Sequence, residues 1–153
     1  MLYLWVEENY LKGMTMNDNQ TDWNSPTVRD EITQHFLIAA LWTADESVIA
    51  PKPGIFDPSP HLPLLTDAAR THARSVVDDF ISWVSDTLSA TTLTSAQVGH
   101  YLLLTAHGAG VGFHDVVADG QLTEFQANKL HFVANRAAAG DIMLGDDGMY
   151  NLE

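Results

Sequence analysis

The chain has 153 residues, a formal net charge of −13 and no cysteine. This length predicts a single domain, and the lack of cysteine excludes disulfides, thiolate metal sites and thiol nucleophiles. The N-terminus lacks the basic region and cleavage site of a signal peptide, and no apolar run is long enough to cross a membrane. We therefore expect a cytoplasmic protein.

The acidic balance limits the partners that the protein can bind. Twenty Asp and Glu residues face seven Lys and Arg residues, and a surface of that sign repels a phosphate backbone. We expect no direct nucleic-acid binding and no membrane contact. Two interpretations of the charge stay open. It provides solubility, or it presents carboxylates to a partner protein with a basic surface, with mimicry of DNA as one form of this.

The first half of the chain predicts an extension, a helix and a loop. Residues 1–24 are interpreted as an N-terminal extension, because a polar run follows a short apolar stretch, and residues 25–153 as one globular domain. Ser25 and Pro26 are residue types that begin helices, and apolar spacing predicts a helix from there to about residue 45. Five prolines in residues 51–63 predict a surface loop.

Two further helices are predicted in the middle of the chain. Thr66 and Asp67 begin the first of them. Its predicted buried stripe consists of Ala69, Ala73, Val76, Val77, Phe80, Val84 and Leu88. Thr94 and Gln97 have the spacing of a capping box, which predicts a helix over residues 95–105. Residues 101–105 also fit a buried strand, and periodicity does not separate the two.

The C-terminal part predicts a strand, a helix and a hairpin. Residues 111–117 are predicted to form a strand after a glycine-rich turn. A fourth helix is expected from about Thr123 to Ala139, ending at Gly140. Apolar runs around the turn at residues 145–148 predict a C-terminal β-hairpin. The apolar residues of the fourth helix are Phe125, Leu130, Phe132 or Val133, and Ala137.

Together these elements predict an α+β fold. We expect a single domain of about four helices packed on one face of a short, mainly antiparallel sheet of about three strands.

Histidines and a carboxylate in the second half are candidates for chemistry. His100, His107, His114 and Asp115 are residue types that bind Zn, Fe or Mn. A spacing of seven residues places helical side chains on one face but about 10 Å apart. A shared ion therefore requires the chain to fold back at its glycines. We predict no metal and no cofactor, and keep these four residues as binding candidates; the alternative is one partly buried histidine and two at the surface.

The adjacent carboxylates Asp146 and Asp147 are also binding candidates. Division of acid and base roles requires two different environments, and a hairpin tip gives both residues the same solvated one. Their place in the turn is also explained by local hydrogen bonding. The sequence lacks a nucleophile elbow, a phosphate-binding loop and a His-Glu-x-x-His pair. We name no catalytic residue and lean against an enzyme.

A more specific pattern runs through the second half of the chain. It has a Gln-x-Gly-His start, an apolar run ending in Leu-Thr, a glycine-rich segment ending in Gly-Phe-x-Asp, and a Gly-Asp-Asp-Gly turn before a tyrosine. With this pattern the chain resembles a group of uncharacterised small acidic proteins of tailed phages and prophages. The positions are Gln97, Gly99, His100, Leu104, Thr105, Gly108, Gly110, Gly112, Phe113, Asp115, Gly145, Asp146, Asp147, Gly148 and Tyr150.

The resemblance implies a phage origin and action in the host cytoplasm, without an established activity. Members of the group commonly have a histidine where this chain has Ala109, a basic residue at Val116 and an aromatic residue at His114. Chemistry that depends on those positions is not expected here.

Three functions fit these observations. The first is a non-enzymatic phage accessory protein that binds a host or phage protein and inhibits or redirects it, for example in counter-defence. The second is a metal-dependent hydrolase or small-molecule binder, which requires at least three of His100, His107, His114 and Asp115 to converge. The third is a minor virion or assembly component. We predict the first.

Overall fold

A computed structural model describes residues 21–44, 48–49, 57–109 and 112–153. In these ranges the chain forms the helices α1 (Pro26–Thr43), α2 (Asp67–Ser89), α3 (Ser95–His107) and α4 (Glu124–Ala134). The strands β1 (Ile142–Leu144) and β2 (Tyr150–Leu152) follow, and short 3-10 helices lie at Leu62–Leu64 and Gly112–Val116. The predicted α+β fold class is confirmed.

Local capping explains where three of the helices begin. The side chains of Thr66, Thr94 and Thr123 each accept a hydrogen bond from the amide three residues later. The capping box predicted at Thr94 is confirmed, and Thr123 forms a second one with Gln126. The side chain of Ser25 makes no capping bond, so the prediction of a hydroxyl cap there is wrong. At this end the fixed φ of Pro26 favours the helical conformation.

Among the described helices, α1 and α3 have the most extensive contact with each other. A Cβ atom at Gly99 would lie 2.3 Å from the carbonyl oxygen of Ile32 and 2.9 Å from the amide nitrogen of Phe36. Side chains do not approach backbone atoms so closely, so this crossing requires glycine. The contact also confirms that residues 101–105, left open above, belong to a helix.

The two strands form an antiparallel hairpin that is attached to the start of α2. Ile142 is paired with Leu152, and Leu144 with Tyr150. The Thr66 amide donates to the Tyr150 carbonyl at 2.9 Å, next to an isolated parallel bridge between Leu65 and Tyr150. The predicted C-terminal hairpin is confirmed.

The prediction of a strand over residues 111–117 is wrong. Gly112 to Val116 form a 3-10 helix, and residue 111 lies outside the described ranges. Phe113 and Val116 are buried, and a 3-10 helix places residues three apart on one side, whereas a strand would alternate. Gly112 has φ +62°, and a Cβ atom there would lie 2.1 Å from Thr105 Oγ1. The glycines therefore allow close packing on α3 rather than on a sheet.

The fourth helix is shorter than predicted and buries a different face. It ends at Ala134, and its buried residues are Ala127, Leu130 and Ala134. Phe125, expected among the apolar residues of this helix, is 79% exposed, and of the alternatives Phe132 and Val133 it is Phe132 that is exposed, at 61%, while Val133 packs against the core. Beyond Ala134 the chain turns, so that Ala139 is buried in the core and Gly140, with φ +80°, lies beside Glu153.

One continuous core joins all these elements. All seven residues of the stripe predicted for α2 are buried. Trp23, near the end of the predicted extension, is only 3% exposed and belongs to this core. Residues 1–20, and residues 51–56 of the proline-rich loop, lie outside the described ranges. No helix in the described ranges has the length and apolar character to span a membrane.

Gly99→Ala should destabilise the protein, although alanine favours helices. In an open helix the change would add about 1 kcal/mol of stability, but here the new methyl group meets the backbone of α1. Overpacking of this kind costs about 1–3 kcal/mol. Urea unfolding should therefore show a lower midpoint for the variant.

Gly99→Val extends the series at the same position. Its larger side chain would meet the same backbone atoms of Ile32 and Phe36, so the unfolding midpoint should fall further than in Gly99→Ala. A Gly99→Ala variant at least as stable as the wild type would show that the crossing does not require glycine.

Candidate protein-binding groove

The three histidines of the glycine-rich stretch serve three different contacts. His100 packs edge-on against Tyr101, with ring centroids 5.0 Å apart. His107 Nε2 donates to the Gly140 carbonyl at 2.6 Å, which ties the end of α3 to the start of the hairpin. His114 Nε2 donates to Asn128 Oδ1 at 2.8 Å. Each ring therefore holds a different part of the fold.

Burial keeps two histidines at the α1–α3 crossing neutral. His100 follows Gly99, and His35 Cβ lies 3.0 Å from the Cβ position of that glycine. Burial lowers the pKa of His100 to about 3 and the pKa of His35 to about 4, because removal from water disfavours the charged ring. Both rings are consequently uncharged parts of a helix interface at neutral pH.

The candidate carboxylates lie apart at the surface. Asp115 is exposed on the 3-10 helix, and Asp146 and Asp147 are exposed at the tip of the hairpin. Asp147 Oδ1 accepts a hydrogen bond from the Met149 amide at 3.0 Å, and the Gly148 amide donates to the Gly145 carbonyl at 3.0 Å. These are bonds of a turn, as the sequence indicated for this pair.

The candidate residues do not form a shared metal centre in the described ranges. There, no three His, Asp or Glu side chains are grouped so that they could hold an ion. The hydrolase hypothesis required such convergence of His100, His107, His114 and Asp115. The described geometry therefore gives it no support.

A groove lies between α2 and α4 on the described surface. Its volume is about 560 Å³, within the size range of binding pockets for small molecules. Val76 and Phe80 contribute apolar side chains from α2. The residues at its rim are His72, Asp79, Trp83, Phe132 and Arg136.

Two exposed aromatic side chains form opposite walls of the groove. Trp83 on α2 is 68% exposed and Phe132 on α4 is 61% exposed. The Arg136 guanidinium lies over the Phe132 ring, 4.7 Å from its centroid, which is a cation–π geometry. Aromatic and arginine side chains are the types enriched at the centre of protein interfaces.

Hydrogen bonds at both ends hold the two helices antiparallel. His72 Nε2 donates to the Ala138 carbonyl at 2.9 Å, beyond the end of α4. Gln126 Nε2 donates to the Ala90 carbonyl at 3.4 Å, at the other end of the pair. The groove therefore lies between fixed walls.

Charged residues lie both along the groove and on the α1 side of α2. The groove itself is lined by one carboxylate and one guanidinium, those of Asp79 and Arg136. Asp79 and Asp86 are exposed on either side of Trp83 along α2. On the other side, Asp78 accepts hydrogen bonds from Arg29 at 2.9 Å and Arg74 at 3.0 Å. Although burial acts to raise it, these bonds hold the pKa of Asp78 below its ordinary value.

The sequence pattern does not reveal this site. It leaves Phe132 and Val133 as alternatives on the fourth helix, and it does not bring Trp83 next to either of them. One signal is present in α4: helical spacing puts Phe132 on the face opposite Ala127, Leu130 and Ala134.

Comparison with protein families, curated proteins and solved structures finds no match to this chain.

Acid should destabilise the protein through His35 and His100. Their pKa values fall on folding from 6.5 to about 4 and about 3, so the unfolded chain binds protons that the folded chain does not. Stability is therefore full above pH 6.5 and decreases as the pH falls from 6.5 towards 4. Each histidine should cost on the order of 2 kcal/mol at about pH 4.5.

Urea unfolding between about pH 7.5 and 4.5 checks this expectation. A double variant, His35→Gln with His100→Gln, should lose less stability over that interval than the wild type. Equal losses in the two proteins would show that these rings do not carry the acid sensitivity.

Proposed function

We propose that this protein is a non-enzymatic binding module that docks a partner protein in the α2–α4 groove and inhibits or redirects it. One observation carries the proposal: Trp83 and Phe132 are exposed on opposite walls of one apolar groove. Large apolar side chains at a concave surface typically mark binding sites.

The residue types in the groove support a protein partner. Trp83 and Phe132 offer flat apolar area, and Arg136 adds a cation already positioned over an aromatic ring. A side chain inserted between the two rings would displace water from both. Such desolvated aromatic and arginine contacts typically contribute most of the binding energy of an interface.

Charge supports a partner whose contact surface is basic around an apolar anchor. Asp79 and Asp86 are exposed beside Trp83, and the whole chain has a net charge of −13. A field of this sign accelerates encounter with basic surfaces and disfavours acidic ones. Binding should therefore weaken as salt is added.

The resemblance to small acidic proteins of tailed phages supports a place for this module in an infected cell. In that setting the partner would be a host or phage protein in the cytoplasm, and counter-defence would be one outcome of its inhibition. No feature of the described surface separately favours a minor virion or assembly component.

Removal of the groove aromatics should weaken partner capture without unfolding the protein. Trp83→Ala and Phe132→Ala should each weaken binding by about thirtyfold or more, because interface anchors of these types contribute about 2 kcal/mol or more. The free energy of unfolding should change by less than about 1 kcal/mol, since both side chains are exposed. Quantitative mass spectrometry of host-lysate proteins retained on each immobilised variant gives the first comparison, and titration of the purified partner gives the affinities.

Phe125→Ala is the matched control. Phe125 is 79% exposed on the same helix and does not line the groove, so this variant should retain the partner. A partner that Phe125→Ala loses and Trp83→Ala keeps would place the interface elsewhere. If no protein distinguishes the wild type from the groove variants, the proposed function is wrong.

A further inference from the structure

The outer edge of β1 has backbone groups without partners in the described part of the chain. Asp141 exchanges two hydrogen bonds with Glu153, at 2.7 and 2.9 Å, and the Gly145 amide donates to the Met149 carbonyl at 2.8 Å. In an antiparallel ladder these bonded pairs alternate along the strand. The amides and carbonyls of Ile142 and Leu144 therefore point away from β2.

The other side of the hairpin is already occupied. Tyr150 on β2 forms the bridge with Leu65 and accepts the hydrogen bond from the Thr66 amide. Among the described residues, β1 is consequently the side on which a further strand can be added.

The side chains on β1 do not protect this edge. Met143 is 46% exposed and Leu144 is 51% exposed. Edge strands are commonly protected by a charged residue, a proline or a bulge within the strand. All three strand residues are apolar. Ile142 is only 4% exposed and packs in the core, so the apolar contact area of this edge comes from Met143 and Leu144.

Carboxylates lie at both ends of this apolar strand. Asp141 precedes it, and Asp146 and Asp147 follow in the turn; all three are exposed. A strand lying along β1 would therefore meet negative charge at each of its ends, whichever direction it runs.

We propose that the outer edge of β1 is a second binding site, which takes up an extended peptide segment with an apolar centre and basic residues at both ends. The segment adds a strand to the hairpin through the backbones of Ile142 and Leu144. This site is separate from the α2–α4 groove and does not depend on it. In this proposal Asp146 and Asp147 face the basic residues at one end of the peptide, a role that their hydrogen bonds within the turn do not provide.

A second copy of the chain fits this edge less well. Antiparallel pairing of two β1 strands centred on Met143 would bring Asp141 of each copy beside the Asp146 end of the other. Like charges in such cross-strand positions are destabilising. A segment with basic residues at both ends would instead place a positive charge beside the carboxylates at each end of β1.

A blocked synthetic peptide provides the probe for this site. Its centre alternates valine and threonine, and two lysines stand at each end. In the free protein the amide of Leu144, which is 51% exposed, should exchange with solvent rapidly, while that of Met143, which faces β2, is protected. Addition of the peptide should slow exchange at Leu144, as followed by NMR.

Two peptide controls separate charge from backbone pairing. A peptide with glutamates in place of the lysines should bind about tenfold more weakly or worse, because it meets like charge at both ends. A lysine peptide with an N-methyl group on every residue of the valine–threonine centre should also lose binding, since neither of its edges can donate to the β1 carbonyls. Equal binding of all three peptides would overturn the proposal.

Protein variants test the same edge from the other side. Leu144→Pro removes an amide that points away from β2, and proline is tolerated on an edge strand in this position. This variant should lose the lysine peptide, whereas Leu144→Val should keep it, and protection of the Met143 amide reports that the hairpin remains folded. Asp146→Asn should weaken binding of the lysine peptide only.

Three results would contradict the inference. The first is binding of the lysine peptide to Leu144→Pro at wild-type affinity while the Met143 amide stays protected. The second is protection of the Leu144 amide in dilute free protein, which would show that the edge is already covered. The third is absence of binding at millimolar peptide. Because Trp83→Ala leaves this edge intact, failure here is distinguishable from failure of the groove proposal.

Discussion

The close crossing of α1 and α3 at Gly99 is the contact on which the rest of the structure depends. It brings backbone against backbone, since a Cβ atom at Gly99 would lie 2.3 Å from the Ile32 carbonyl oxygen. Such close packing encloses His35 and His100 and keeps them neutral. The C-terminal end of the same helix carries His107, whose bond to the Gly140 carbonyl positions the hairpin. A single glycine thus permits an arrangement in which two of the candidate histidines become structural.

This arrangement moves the search for function from the histidine-rich stretch to the surface. His100, His107 and His114 each contact a different part of the fold, and Asp115 is exposed apart from any described ion-binding group. The features that packing does not explain are elsewhere. Trp83 and Phe132 remain exposed on the groove, and the backbone of β1 remains open on one side. Both of our proposals start from these two features, and both concern the recognition of another polypeptide.

Sequence reasoning succeeded where structure is determined locally. The capping box at Thr94 and the hairpin turn at residues 145–148 depend on neighbours within a few residues, and both were predicted. The 3-10 helix at Gly112–Val116 was not, because the contact of Gly112 with Thr105 decides it. The choice between Phe132 and Val133 stayed open for a similar reason: the face that α4 buries depends on how it docks on α2. The groove exists only after that docking, so no local pattern could define it.

Site-specific cross-linking tests the central claim, that the partner binds at the groove and not at the histidine stretch. The chain has no cysteine, so single cysteines can carry a photoreactive probe. One replaces Ser75, which lines the groove, and the other replaces Asp115. Irradiation in the presence of the partner should give a cross-linked product from position 75 and none from position 115. A product from position 115 alone would contradict the assignment of function to the α2–α4 groove.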